Sequence, residues 1–408
     1  MNVYCGIDWA EGHHDIAVVD AEGNLLASRR IGDDLAGLDK LCTLLAEHSD
    51  PDLEPVPIAI ETPRGLFVSS VRDRGFPVYA INPLSAARYR DRHSVSRKKS
   101  DAQDAAVLAN ILRTDSHAHR RMAEDSALVR AISVLARAQQ DAVWKRQNLS
   151  NEIRSLLREY YPSALIAFPK GKLLQSAEAS RILRAAPTPA RALRLGIPRI
   201  TQLLRNAGRT RYLEREATRL HRVLHSNTLQ MPEAVEQAYG TQLIAMFSEM
   251  DAAREAVDDL TRRTEELFLR HADAPIITSM PGLANTTGAR ILAEMGDDPD
   301  RFASASSLKA YSGAAPVTRA SGKSHAVTAR RVKNNRLAAA GYVWAFSALT
   351  ASPGARAHYD RRKEQGDTHT AAQRNLFNRL LGCLHYCLQN RVSYSEPAAF
   401  TTTSKAIS

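Results

Sequence analysis

Four carboxylates stand where their types and spacing could do chemistry: Asp8, Glu61, Asp101 and Asp104. Asp8 closes the apolar run VYCGID, and Glu61 closes VPIAIE. Both runs read as strands, and in open α/β sheets the carboxyl ends of strands border the site crevice. Asp101 and Asp104, in SDAQDAAVLANILR, are three residues apart and share one helix face. An unpaired carboxylate at the end of a buried strand is costly, and four together repel unless a cation holds them. Two divalent cations about 3.5–4 Å apart would do so, and such a pair activates one oxygen and stabilises the departing one in phosphodiester cleavage. Mg²⁺ suits an all-oxygen ligand set that keeps waters for phosphate oxygens. Structural readings compete at single positions: Asp101 could cap its helix, and Asp104 alone would ordinarily sit on a surface. Asp15 and Asp20 lie in the same region, and Asp20 reads as a turn former before Gly23.

Beside the acids lies RYRDRHSVSRKKSD, with six Arg or Lys from Arg88 to Lys99 against one Asp. Either this is a solvated loop or Arg92, Arg97, Lys98 and Lys99 meet a phosphate backbone. His93 has no second His or Cys at metal spacing. Far along the chain, YSGAAPVTRASGKSHAVTARRVKNN offers two serines that precede glycine, Ser312 and Ser321. A following glycine lets the backbone turn tightly and expose the hydroxyl. Ser321 is the better nucleophile by its neighbours Arg319, Lys323, Arg330 and Arg331, which could hold a phosphate and stabilise charge as it transfers. Lys333 and Arg336 complete a run of six basic residues with no acid. A plain turn is the competing reading of either Ser-Gly.

The elements that must position these groups follow from periodicity. Residues 3–7, 14–20 and 24–31 read as strands with Gly12 and Gly23 in the turns between them. Leu35, Leu38, Leu41, Leu44 and Leu45 share a helical face. VPIAIE and FPVYAI are further strands, GLFVSSVRDRG is a helix between them, and NPLSAARYR starts a helix with Asn82 as cap and Pro83 at its first position. Three strands, then strands alternating with helices, specify an α/β domain of mixed sheet, consistent with a ribonuclease-H-like fold. From about 126 the texture is helical. Leu128, Ile132, Leu135, Gln139, Ala142, Arg146, Leu149, Ile153 and Leu156 form one four-three series. Leu243, Met246, Met250, Ala253, Val257, Leu260, Thr264 and Leu267 form another. This is the pattern of a coiled coil, weakened by Gln139 and Arg146, and it could pack within the chain or on a second subunit. Residues 165–230 are basic and broken by prolines, with short helices and no evident chemistry. From Pro275, IITSMPGLANTTGARILAEMG has the texture of a helix–hairpin–helix, whose amides can meet a phosphate. The expected divisions are 1–120, 121–270, 271–395 and a frayed tail, 396–408.

The chain has 408 residues, a formal charge of +11 and a pI near 9.6. That balance favours a polyanionic partner, nucleic acid first. Four cysteines without a CxxC read as free thiols of a reducing cytosol. No signal-like apolar stretch or bilayer-length run is evident, so a membrane role is not expected.

Taken together, the sequence resembles the insertion-sequence transposases whose acidic tetrad is Asp-Glu-Asp-Asp on a RuvC-like fold, related to the Piv-type DNA invertases. The resemblance rests on GIDWA, IETPRG and KSDAQDA in the first block and on ITSMPGLANTTGARILAEMGD and LKAYSGAAPVTRASGK in the second. It implies a RuvC-like α/β domain, a helical coiled-coil middle used for oligomerisation, and a small, mainly helical C-terminal transposase domain. It implies Mg²⁺ ligands at Asp8, Glu61, Asp101 and Asp104, two ions per site, and a catalytic serine matched to Ser321, with Ser312 as the other register. It also implies an enzyme that cuts and rejoins double-stranded DNA as a dimer or tetramer in the bacterial cytoplasm, at the nucleoid, and resembles recombinases guided by a structured RNA. TRASGK departs from the serine- or glycine-rich wording usual before the nucleophile. Two readings of other classes stand beside this one. A junction-resolving or ribonuclease-H-like nuclease would use the acids and leave the serine block idle. A nucleic-acid-binding scaffold would explain the charge and leave the acids unexplained. A sugar-kinase-like ATPase is weaker, since no second Gly-rich phosphate loop is present.

Overall fold

The computed structural model describes residues 2–50, 52, 54–93, 101–169, 171–226, 229–321 and 324–400. The chain divides into two compact units, Met1–Glu124 and Asp125–Ser408. Arg97, Lys98, Lys99 and Lys323 lie outside the described residues, as does the end of the tail.

In the first unit the strands are β1 (Tyr4–Ala10), β2 (His13–Val19) and β3 (Leu25–Gly32), followed by α1 (Leu35–His48), β4 (Ile58–Ile60), α2 (Leu66–Asp73), β5 (Val78–Ala80), α3 (Pro83–His93) and α4 (Asp101–Asp115). The sheet order is β3-β2-β1-β4-β5. The first three strands form an antiparallel meander, while β4 and β5 add in parallel beside β1. This mixed sheet agrees with the ribonuclease-H-like expectation. Each face carries helices. Cys5, Ile7, Ile16, Val18, Ile58 and Ile60 pack with leucines of α1 and with α2, whereas Ala59 packs with Leu108, Ile111 and Leu112 of α4. Gly6 explains how closely α4 approaches: a Cβ there would fall 2.0 Å from the Ala105 carbonyl oxygen and 2.5 Å from the Ala109 nitrogen. Asn82 caps α3 as expected, accepting from the Leu84 amide at 2.8 Å, and Pro83 opens the helix. Asp20 accepts from the amides of Glu22 and Asn24 at 3.0 and 2.8 Å, the turn role foreseen for it.

One boundary differs. Asp8 does not end its strand: the β1–β2 hairpin continues to Ala10 opposite His13. The parallel partner β4 stops at Ile60, opposite Ile7. Asp8 is thus the first residue past the parallel pairing, at the carboxyl end of β4, while still paired with β2.

In the second unit α5 (Ala127–Tyr160) and α12 (Glu233–Phe268) pack along one another. Gln139, a poor seam residue by pattern, is buried there and bridges three helices. It donates to Thr261 at 2.9 Å and accepts from Arg290 at 2.9 Å. Between the long helices lie α6 (Pro162–Ala167), α7 (Gly171–Leu174), α8 (Ala177–Ala185), α9 (Pro189–Ala192), α10 (Ile197–Asn206) and α11 (Leu213–Leu224). The 165–230 segment is therefore no mere spacer. Its helices bury Ile182, Ile200, Leu204 and Leu220 against Tyr160 and Phe247 of the long pair, forming a core of its own. The remainder is α13 (Ala274–Thr278), α14 (Asn285–Met295), α15 (Ala305–Tyr311), β6 (Val317–Ser321), β7 (Ser324–Thr328), α16 (Asn335–Ala351), α17 (Pro353–Glu364), α18 (His369–Asn390) and α19 (Glu396–Phe400). The Pro281–Gly282 turn of the expected helical hairpin is packed on α16. Gly282 has φ 71°, a Cβ there would lie 2.6 Å from the Ala348 nitrogen, and Trp344 donates to the Pro281 carbonyl at 3.0 Å. Among the described residues no helix is long and apolar enough to cross a membrane.

Candidate active site

Strand alternation decides which side chains share the α4 face. Ile7 faces α1 and α2, so Asp8, one residue on in β1, turns the other way, while Glu61 directly follows the end of β4. In β2, Asp15 lies opposite Asp8, and in β3, Arg30 lies opposite Asp15. The first turn of α4 brings Asp101 and Asp104 to the same place. The convergence shows in the electrostatics of Asp8. Burial and the charges of Asp104, Glu61, Asp101 and Asp15 push its carboxyl from 3.8 up to about 6. Like charges this close disfavour simultaneous ionisation.

Two arginines answer part of that charge. Arg30 grips Asp15 with Nε and Nη2, at 3.1 and 2.8 Å, and Nη2 also reaches Asp101 at 3.3 Å. Arg90 of α3 places Nη2 2.7 Å from Oδ1 of the buried Asp104. The pair falls outside hydrogen-bond geometry but leaves the Asp104 charge matched by Arg90, whereas Asp8 keeps its raised carboxyl. The acid set therefore still has oxygen donors to offer a hard cation, and it fits a divalent metal on that ground. His13, Asp15 and Asp101 also offer ligand atoms within 4.8 Å of one another. This trio differs from the expected tetrad, and Arg30 already holds Asp15 within it. Asp101 is common to the trio and the tetrad; among the described residues the trio, and not the tetrad, has its ligand atoms this close together. Asp15, His13, Arg30 and Arg90 had no assigned role in the sequence reading. The alternation of β2 from Asp15 to His13 was the signal for the first two, while the arginines depend on strand register and on how α3 lies against α4.

The two serines separate by burial. Ser312 caps the C-terminus of α15 and is 1% exposed; its hydroxyl donates to the Lys309 carbonyl at 3.0 Å and accepts from the Ala314 amide at 3.2 Å. Ser321 is exposed as the last residue of β6, paired with Ser324 at the tip of the hairpin. Arg319 pairs with Ala326 in that hairpin. Of the candidate phosphate contacts, Arg92, Arg331 and Lys333 are exposed, and Arg330 is half-buried. Arg336 has a different job. Its guanidinium binds the Arg137 carbonyl, Gln140 and Asp141 at 2.9–3.3 Å and lies 5.3 Å from the Trp144 ring, fastening α16 to α5. Those contacts engage three of its five N–H donors.

A transposase family model of the DEDD type, named for IS110, matches residues 5–162. A second, described as transposase IS116/IS110/IS902 family, matches residues 274–360. The two matches cover the acid cluster and the serine hairpin. A Streptomyces coelicolor protein bearing the name of mini-circle transposase for IS117 is 56% identical over 407 residues, covering 100% of this chain and 98% of its own length. The uncharacterized 43.6 kDa protein of insertion element IS110 from the same organism is 31% identical over 80% of this chain and 79% of its own. The uncharacterized 42 kDa protein of IS900 from Mycobacterium paratuberculosis is 28% identical over 99% of both chains. With both blocks matched in order and similarity running end to end, the chain belongs to the IS110/IS116/IS902 family of transposases.

Proposed function

We propose that this transposase cuts and rejoins DNA through the Ser321 hydroxyl, with Asp8, Glu61, Asp101 and Asp104 holding two Mg²⁺ ions. The observation that carries the reading is the crowding at Asp8, where burial and the charges of Asp104, Glu61, Asp101 and Asp15 raise a single carboxyl to about 6. Asp8, Glu61, Asp101 and Asp104 would hold the ions, which when bound would supply polarisation of a phosphodiester and charge stabilisation at its departing oxygen. Ser321 Oγ attacks phosphorus and gives up its proton; the O–P bond to serine forms, the bond to the leaving sugar oxygen breaks, and that oxygen takes up a proton to leave as a hydroxyl. The phosphoserine link conserves the bond energy, so rejoining needs no nucleotide hydrolysis. Arg330, Arg331 and Lys333 supply positive charge beside the serine hairpin and steady the phosphate as it transfers. Arg30 and Arg90 hold the acids in place before substrate arrives. The basic charge favours a nucleic-acid backbone surface. With a structured guide RNA pairing to donor and target, the protein itself need read little base sequence. With α5 and α12 packed on one another within the chain, a dimer or tetramer would form through faces other than that shared seam.

The test separates chemistry from architecture. Asp8→Asn and Asp101→Asn should each abolish Mg²⁺-dependent cleavage and leave most RNA binding. Equal loss of both would make these acids structural. A hydrolytic nuclease is the second reading, favoured by the fact that all four acids belong to one unit while the serine belongs to the other. Cleavage that survives Ser321→Ala would establish it.

A further inference from the structure

A cavity of about 890 Å³ lies in the second unit, and its lining includes no residue of the serine hairpin. Its floor is one face of α18: Asn375, Asn378, Gly382 and Tyr386 recur at spacings of three and four. Lys309 of α15 forms one wall, His358 of α17 another, and the segment from Val392 to Ala399 closes a third. The cavity is roomy because its floor is small in the middle. A Cβ at Gly382 would meet nothing but the end of Lys309, with Nζ at 2.8 Å. The ammonium of Lys309 therefore lies across the floor.

The lining is basic. It contains Lys309, Arg379 and His358, and no Asp or Glu among the described residues. Arg379 is partly used, donating from Nε to the Ala399 carbonyl at 2.8 Å and lying 5.2 Å from the Phe400 ring. His358 is hydrogen-bonded to Asn375 at 3.0 Å, and burial together with nearby arginines holds it below the usual histidine range. A concave, cationic surface without a carboxylate selects an anion. The volume is larger than a lone phosphate fills and falls in the range of about 300–1,000 Å³ found for small-molecule sites. Tyr386, 62% exposed, offers a ring face, and the carboxamide of Asn378 offers a donor and an acceptor to a heterocycle edge.

We propose that this cavity binds one nucleotide, its phosphate against Lys309 and its base between Tyr386 and Asn378. Either a free nucleotide or a nucleotide unstacked from a strand has this chemistry. Cys383 lines the cavity and is half-buried, so it reports occupancy. The experiment measures alkylation of Cys383 in the full chain by peptide mapping, with Cys42 as internal reference and inorganic phosphate, thymidine monophosphate or a single-stranded oligothymidylate as probe. At a probe concentration about four times Kd the alkylation rate should fall to about one fifth. Protection by the mononucleotide identifies a free-nucleotide site, and protection by the oligonucleotide alone identifies a strand-borne nucleotide. Lys309→Met and Gly382→Leu, the latter displacing the flexible end of Lys309, should each abolish protection while the melting temperature holds. The proposal is overturned if neither nucleotide probe protects Cys383, if phosphate alone protects equally well, or if both folded variants remain protected.

Discussion

Replacing Asp8 by Asn should stabilise the metal-free protein while destroying its activity. Burial and four neighbouring acids raise the Asp8 carboxyl from 3.8 to about 6, so the folded state holds that proton more tightly than the unfolded chain does. Stability is then greatest below about pH 4, falls as pH rises to about 6, and stays low above that. Each tenfold change in the proton equilibrium is worth about 1.4 kcal/mol, giving about 3 kcal/mol at full strength. Asp8 is only half-buried, and solvent screening reduces the effect to about 1 kcal/mol. Asn keeps the shape and removes the charge. At pH 7.5 in EDTA, the first unit of Asp8→Asn should melt about 3–5 °C above wild type. The gap should close below pH 4, and Mg²⁺ should raise the wild-type transition but not the variant's. Calorimetry across this pH range, following the first unit's transition separately, measures all three. An Asp8→Asn protein that melts below wild type in EDTA at pH 7.5, or a gap that does not change with pH, refutes the electrostatic argument.

Gly6→Ala should destabilise the first unit by more than about 3 kcal/mol, because the added methyl collides with the α4 backbone rather than a movable side chain; urea unfolding reads this. Glu294 is 3% exposed and binds Arg137 at 2.7 and 3.1 Å and Asn334 at 2.7 Å, so Glu294→Ala should cost about 1–3 kcal/mol, the lost charge-assisted bonds being partly replaced by water at the part-exposed Arg137. Chemical denaturation of the second unit checks it. Ser312→Ala should lose about 1–2 kcal/mol of stability through its two hydrogen bonds yet still form protein-linked DNA, whereas Ser321→Ala should lose the linkage with little change in melting.

The legible parts of this protein were those that a short window determines. Strand alternation through Cys5, Ile7, Ile16 and Val18, and the leucine stripe of α1, are local patterns, and the sheet follows from their order. The small helices from α6 to α11 were not resolvable beyond their existence, because prolines interrupt the period and their apolar faces meet residues far away, Tyr160 and Phe247. Gln139 looked like a flaw in a seam, and its role needs Arg290, 151 residues on. The acids were visible as a set, but their arginine partners were not: Arg30 meets Asp101 across 71 residues, through a register that no spacing encodes. Arg336 and Arg331 look alike in a basic run, and only packing shows that the first is engaged and the second exposed. Ser312 and Ser321 differ in burial of the hydroxyl, which two similar Ser-Gly pairs cannot reveal.

The most direct test of the account is covalent trapping. The protein is incubated with Mg²⁺, DNA spanning the flanks of its gene and RNA transcribed from them, then denatured, digested and mapped by mass spectrometry. The account predicts a phosphodeoxynucleotide on Ser321, absent in Ser321→Ala and in Asp8→Asn. Mg²⁺-dependent cleavage that leaves clean ends and no adduct would contradict it.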